Sequence, residues 1–446
     1  MGIDLRSRTF TRDAESCKFS DDVFFFYGPE YIRDVSIDFK DNPPKGLIWF
    51  HRDLRVNDHA GMNLVLESGG RWIALALSPR NPLSPAGCFE RECLDDLEAS
   101  LKLLEIPLLR LESTEVESFI RNVFHANPDL ALLTSRRFNS RDQKLLDSCT
   151  SVLPKKQITL YDHGTLYLES DLPFSLDGLP ATFSPFQRKI RAAKTQIVPP
   201  ISGFSLPEIS TNGIAPVELQ DRSFRFRGGE RNAILRLRDY FWESRAVMHY
   251  HETRNGLLAR DDSSKLSPYL AQGCISARQV HAEILRLQDQ IGPSKGAEAL
   301  LYELEWRDYF KFLALRSGDR LFSAQGLRNE ERESSPDQKQ FERWCAGETG
   351  NDFIDANMRE LKVSGWMSNR GRQNVASFLA RIMKLPWLWG ASWFEENLSD
   401  FDVETNQGNW MYLAGVGTDP RDRIFNPDLQ AENYDGDGAY RKRWSS

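Results

Sequence analysis

Gly46-Leu-Ile-Trp-Phe-His51, GLIWFH, sets four large apolar residues in a row and then breaks into the charged run HRDLR. A short apolar block bounded in this way reads as a β-strand. Similar blocks follow downstream: RWIALALS (71–78), IPLLRLE (106–112), DLALLTS (129–135) and KQITLYD (156–162). Between them lie amphipathic stretches such as CFERECLDDLEASLKLL (88–104). Strand alternating with helix is the pattern of a parallel sheet wrapped by helices, so residues 46–165 are predicted to be an α/β domain. No GxGxxG follows the first strand, and charge stands where the glycines would be, so the dinucleotide-binding reading loses its usual warrant.

The text changes twice more. From 166 to 228 it is rich in Pro, Ser and Gly (DLPFSLDGLPATFSPF, VPPISGFSLPEIS) and reads as a long connector. From 229 to 446 apolar residues recur three and four apart in AILRLRDYFWESRAVMHY, ARQVHAEILRLQDQI, AEALLYELEWRDYFKFLALRSG and NVASFLARIMKL. That part is predicted to be all helix. Residues 1–45 form an N-terminal extension whose DDVFFFYGPEYIRDV suggests an extra packed segment. Arg6, Arg8 and Arg12 lie among Ser and Thr there, but Asp4, Asp13 and Glu15 dilute a transit-peptide reading.

Composition narrows the function classes. The chain has 446 residues, 11% of them aromatic, and a formal charge of -7, so nucleic-acid binding would need a local basic patch. Six cysteines stand singly, with no CxxC and no histidine cluster beside them. They point to a reducing, intracellular compartment and to no metal site. No apolar run reaches the roughly 18 residues of a membrane span.

One polar run is out of place. FDVETNQGNW (401–410) sets acids and amides between PWLWGASWF and MYLAGVG, both of which look like core. Three other stretches carry candidate chemistry. In DDSSKLSPYLAQGCIS, Ser267 before Pro268 reads as a helix N-cap, and Ser263, Ser264 and Ser267 could equally cradle a phosphate. In YELEWRDYFKF, Glu303 and Arg307 are four apart: either a solvated brace of ~0.3–0.5 kcal/mol or, among the aromatics, a site carboxyl that can stay protonated. In GWMSNRGRQNVASFL, Asn369, Arg370, Arg372 and Gln373 cluster at a helix start, as an anion or carboxylate partner or as a basic surface turn.

Together these motifs resemble the photolyases and cryptochromes, specifically the DASH-type cryptochromes. The likeness runs from about 46 to 444 through WFHRDLRVNDH, YHETRNGLLARDDSSKLSPYLAQG, YELEWRDYFKFLALRSGDRLF, GNDFIDANMRELKVSGWMSNRGRQNVASFLAR and NWMYLAGVGTDPRDRIFNPDLQAENYDGDG. TRNG, MSNRGRQN and AGVGTDPRDR are the most DASH-like. The resemblance implies an α/β antenna-type domain followed by an all-α FAD-binding domain. It assigns Tyr250, Ser263, Ser264, Lys265, Leu266 and Ser267 to the phosphate and ribose region. Arg307, Asn369, Arg372, Asp400, Asp402 and Asn406 would surround the flavin, with Asp402 accepting from the ring imide, Asp400 pairing with Arg372 and Asn406 near N5. The acids between aromatics would then be the buried partners of a buried heterocycle.

Glu303, Trp306 and Asn369 would act on a flipped pyrimidine dimer, in a pocket completed by Gln373 and Tyr412. The implied activity is blue-light-driven repair of cyclobutane pyrimidine dimers, preferably in single-stranded DNA, by a monomer with no membrane partner. The alternative is a blue-light signalling protein with a partner of unknown identity. Trp410 and Trp387 fill the inner and middle places of the family's electron-transfer chain. The outer place falls on Ser334, so photoreduction is expected to be slow unless another residue, Trp344 or Trp393, closes the circuit. Arg137 stands where an antenna-binding glutamate is usual, so a folate antenna is expected to be absent or loosely held. His51 replaces a usual arginine, and the common continuation past KRW is missing.

Overall fold

The computed structural model describes residues 43–201, 215–220, 223–418 and 424–445, with three two-residue strands at Phe19–Ser20, Val23–Phe24 and Ile37–Asp38. The packed segment expected at 21–35, and Asp419 to Arg423 of AGVGTDPRDR, therefore fall largely outside the described residues.

The blocks read as strands are strands: β1 Gly46–Trp49, β2 Trp72–Leu77, β3 Leu108–Leu111, β4 Ala131–Ser135 and β5 Ile158–Tyr161. They form one parallel sheet in the order β3-β2-β1-β4-β5. All four residues of β1 are buried because it sits between β2 and β4, with Gly46 opposite both Trp72 and Ala131. A Cβ at Gly46 would lie 2.5 Å from the Ala131 carbonyl oxygen and 2.5 Å from the Trp72 ring, so the central register depends on that glycine. Alternation in β1 splits the core. Leu47 and Trp49 join one cluster with Phe119, Ile120 and Val123 of the helix Val116–Ala126. Ile48 and Phe50 face the opposite way, into a core that runs through Phe89, Leu94 and Leu97 of the helix Pro85–Lys102 and on into the helical half.

From Glu230 onward the secondary-structure elements among the described residues are all helical. The periodic stretch 233–250 is not one helix: an α-helix Glu230–Arg238 opens into a π turn Asp239–Glu243, and after Arg245, at φ 53°, come short turns at Ala246–His249 and Tyr250–Thr253. The stretch read as a connector carries its own structure. A helix, Phe183–Ala192, and an antiparallel hairpin, Val217–Gln220 with Ser223–Phe226, pack onto the helical half. Its prolines and glycines hid apolar side chains, Phe183, Phe186, Phe224 and Phe226, that are at most 3% exposed. No helix among the described residues is long and apolar enough to cross a membrane. None of the described residues gather into groups of three or more His, Cys, Asp or Glu suited to a metal ion.

Candidate functional site

The helix Lys295–Ser317 starts at Ser294, whose Oγ accepts from Ala297 N at 3.2 Å. Its stripe of Glu303, Arg307 and Lys311, four apart, faces a central cavity and the acids beyond it. The Glu303–Arg307 brace considered from the sequence is not formed. Glu303 pairs instead with Arg254, and Arg307 donates to the carbonyls of Gly164 and of Leu270, the latter at 3.1 Å. Backbone acceptors and the more distant Asp402, 3.9 Å away, outcompete the neighbouring turn. Burial pushes the Glu303 carboxyl up, and the Arg254 charge pulls it partly back. Trp306 stacks one face on Phe183, with centroids 4.0 Å apart and planes at 16°.

The acids of the polar run are anchored from several sides. Asp402 caps the helix Val403–Ala414 by accepting from Thr405 N at 2.9 Å. It also lies 3.3 Å from Lys311 Nζ, which reaches Glu404 at 3.0 Å. Burial alone would raise the Asp402 carboxyl, but Lys311 and Arg307 hold it well below the usual carboxylate range. Arg372 Nη2 sits 2.9 and 2.8 Å from the two oxygens of Asp400, the pairing the resemblance implied. Arg370 lies over the Tyr434 ring at 4.5 Å and donates to Gln373 at 2.8 Å. Of the two arginines at that helix start, Arg372 therefore answers a carboxylate.

The serine-rich turn differs from its sequence reading. Ser267 is the first residue of the helix Ser267–Gln272, and Leu266 occupies the cap position without a side-chain bond. The turn is held from behind by the buried Arg236, which donates to the Ser264 carbonyl at 2.9 Å. Lys265 sits at φ 54°, a conformation rare for a residue with a side chain and one that marks functional turns. Its Nζ lies 3.1 Å from Ser263 Oγ and 4.0 Å from the Trp366 ring centroid. Burial pushes its pKa from 10.5 down to about 7.

These segments meet around a cavity of ≈ 520 Å³. Tyr250, Ser263, Ser264, Lys265 and Ser267 line it, together with Arg307, Arg372, Asp400 and Asp402. Glu303, Trp306, Asn369, Gln373 and Tyr412 complete the wall. Leu266 does not line it, because its side chain belongs to the core. Asn406 lines an adjoining pocket of ≈ 90 Å³ with Trp410, and its amide donates to the Ala391 carbonyl at 3.2 Å. Trp410 and Trp387 are both buried, while Ser334 is exposed. Hydroxyls and a buried ammonium, carboxylates and guanidinia, and aromatics lining one cavity fit the diphosphate, the polar ring edge and the stacked rings of FAD.

Two of the residues that sequence reasoning missed lie one helical turn from those it found. Arg254 is four residues after Tyr250, and Lys311 is four after Arg307. That spacing was the available signal. Phe183, inside the supposed connector, had none. At the carboxyl end of β4, Arg137 is buried over Trp49, 5.1 Å from its ring, and donates to Ser135 Oγ and Thr134 Oγ1 at 3.0 and 3.1 Å. His51 sits 3.1 Å from Asp142.

Comparison with known proteins agrees with this geometry. Residues 46–203 match the family described as DNA photolyase, and residues 300–446 the one described as FAD binding domain of DNA photolyase. The chain is 36% identical over 425 residues to a protein named cryptochrome DASH from Gloeobacter violaceus, covering 89% of this chain and 85% of that one. It is 37% identical over 433 residues to the cryptochrome DASH of Synechocystis, covering 90% and 87%. Among solved structures, a Synechocystis cryptochrome superposes with a TM-score of 0.81 at 34% identity, over 91% of this chain and 89% of that one. A bacterial class III photolyase from Agrobacterium tumefaciens gives 0.73 at 26% identity, over 90% and 86%. With residues 46–203 and 300–446 both matched and relatives covered over most of their length so named, the chain belongs to the photolyase and cryptochrome family, among the DASH cryptochromes.

Proposed function

We propose that this protein repairs cyclobutane pyrimidine dimers under blue light, preferring single-stranded DNA. The observation that carries the reading is the convergence of Glu303, Trp306, Asn369, Gln373 and Tyr412 on the same cavity as the flavin-type ligand set. FAD, when bound and reduced, supplies the photoexcited electron for dimer splitting. Ser263, Ser264, Lys265 and Ser267 would hold its phosphates, and Asp402, kept ionised by Lys311, would accept from the ring edge. Trp306, braced by Phe183, lines the cavity where a flipped pyrimidine dimer would stack. Glu303, its carboxyl raised by burial, would hydrogen-bond the dimer, and that interaction strengthens as negative charge develops on the pyrimidine. Arg254 must release Glu303 for that role. The net charge of -7 leaves little general attraction for duplex DNA, in keeping with a single-strand preference. The same reading expects a monomer, and with Arg137 filling the space at the end of β4, folate absent or loosely held.

The test is illuminated repair of dimer-containing single-stranded and duplex oligonucleotides by the reduced, flavin-loaded protein. Light-dependent repair that falls much further than DNA binding in Glu303→Ala supports the assignment. A flavin-loaded protein that repairs neither substrate overturns it and leaves blue-light signalling as the reading.

A further inference from the structure

Ser334 carries no ring and is exposed, so a route from Trp410 through Trp387 stops short of solvent at that place. The packing around Trp410 supplies another way out. The Trp410 ring lies 6.3 Å from that of Trp344, at 68°. Trp344, fully buried, stacks on Phe341 with centroids 5.9 Å apart at 18°. Phe341 meets Trp389 at 5.3 Å and 63°, and Trp389 is partly exposed. Centroid separations of this size put ring edges in van der Waals contact. Electron exchange falls steeply with the gap between edges, so contact is the condition for a fast hop. The arrangement is held from two sides. Trp344 Nε1 donates to the Val375 carbonyl at 3.1 Å, and Gly390 lets the helix Trp387–Asn397 lie so close that a Cβ there would be 2.2 Å from the Trp410 ring. Phe394, 5.1 Å from Trp410, is buried and leads back to Trp344, 6.3 Å away.

We propose that Trp344 and Trp389, bridged by Phe341, form a second electron route between Trp410 and solvent; this rests on the FAD reading. In it, Trp410 would give one electron to light-excited oxidised flavin, Trp344 would refill Trp410, and Trp389 would refill Trp344 across Phe341. Phe341 is too hard to oxidise to hold the charge and serves only as the medium between two indoles. A thiolate in solution then gives Trp389 one electron and becomes a thiyl radical. No covalent bond is made or broken in the protein, and one electron has passed from thiol to flavin.

The experiment compares the flavin-loaded full chain with Trp389→Phe, Trp344→Phe and Trp393→Phe. Bleaching of oxidised flavin under blue light with added thiol is read beside the light-induced spin pair in pulsed electron paramagnetic resonance. Trp389→Phe and Trp344→Phe are expected to slow bleaching several-fold and to abolish the long-distance spin pair. Trp393→Phe, the other partly exposed indole of that helix, should behave as the parent. Because Trp344 is buried, its variant also needs parental flavin release on denaturation; Trp389→Phe at the surface decides the matter without it. Bleaching at the parental rate with an unchanged spin pair in Trp389→Phe overturns the inference. Repair by chemically reduced protein should be unaffected in all variants, since it bypasses this route. A parent that releases no flavin on denaturation would overturn the FAD reading, and this inference with it.

Discussion

Lys265 offers a quantitative test of how the cavity handles a diphosphate. Its side chain is 3% exposed, over Trp366 at 4.0 Å and Phe224 at 4.8 Å, with one neutral hydroxyl, Ser263 Oγ, at 3.1 Å. Burial takes its pKa from 10.5 to about 7, the charges of Glu360 and Asp262 recovering only part of the loss. At about 1.4 kcal/mol per pKa unit, the cost of holding that ammonium without an anion is roughly 5 kcal/mol. A bound diphosphate removes much of that cost and lifts the pKa again, so binding takes up a proton wherever the free protein's Lys265 is neutral. Below about pH 7 the lysine is already charged and affinity is flat. Above it affinity falls, by at most about tenfold per pH unit, until the pKa of the complex is reached. Stability of the flavin-free protein runs the other way. Its unfolded chain binds the extra proton between about 7 and 10.5, so the Lys265 contribution to folding strengthens as pH rises through that window.

The assay is flavin fluorescence quenching on flavin-stripped protein from about pH 6 to about pH 9, where this linkage acts. Lys265→Met should bind FAD more weakly at the acid end and lose the pH dependence, while Lys265→Arg should bind without it. A parental affinity that does not change across the range, or a Lys265→Met variant that keeps the same fall, refutes the reasoning.

Four further outcomes are expected. Asp402→Ala removes a helix cap and a cavity acceptor while leaving Lys311 with Glu404; it should weaken flavin retention by about 1–3 kcal/mol, read by equilibrium dialysis. Asp308→Ala strips the acceptor from the backbone N–H groups of Leu166 and Tyr167, 2.8 and 3.1 Å away in a fully buried site, and should cost about 2–5 kcal/mol in denaturant unfolding. Gly390→Ala should cost about 1–3 kcal/mol, and its near-ultraviolet circular dichroism should change because the Trp410 ring must move. Ser334→Trp, on an exposed loop, should leave stability within ~0.5 kcal/mol, and with the Trp344 and Trp389 route intact it should raise photoreduction only modestly.

Local pattern alone was enough for the sheet and for most of the helices. Blocks such as GLIWFH and RWIALALS hold their period over a few residues, and period is a property of neighbouring positions. The motif residues were legible too: Ser263, Lys265, Arg372, Asp400 and Asp402 all reach one cavity or the pairing expected of them. What the sequence could not settle was choice among partners. Glu303 had Arg307 within reach on its own helix, yet it pairs with Arg254 from another segment, because Arg307 finds carbonyls at Gly164 and Leu270. Phe183 sat in text full of proline and glycine, where nothing nearby marks a ring that will back Trp306. The path from Trp410 to Trp389 passes through residues 410, 344, 341 and 389, an order with no meaning along the chain. Secondary structure follows from contacts a few residues apart. Ion-pair choice, ring stacking and electron routes depend on which distant side chains the folded core brings within a few ångströms, and only the tertiary structure decides that.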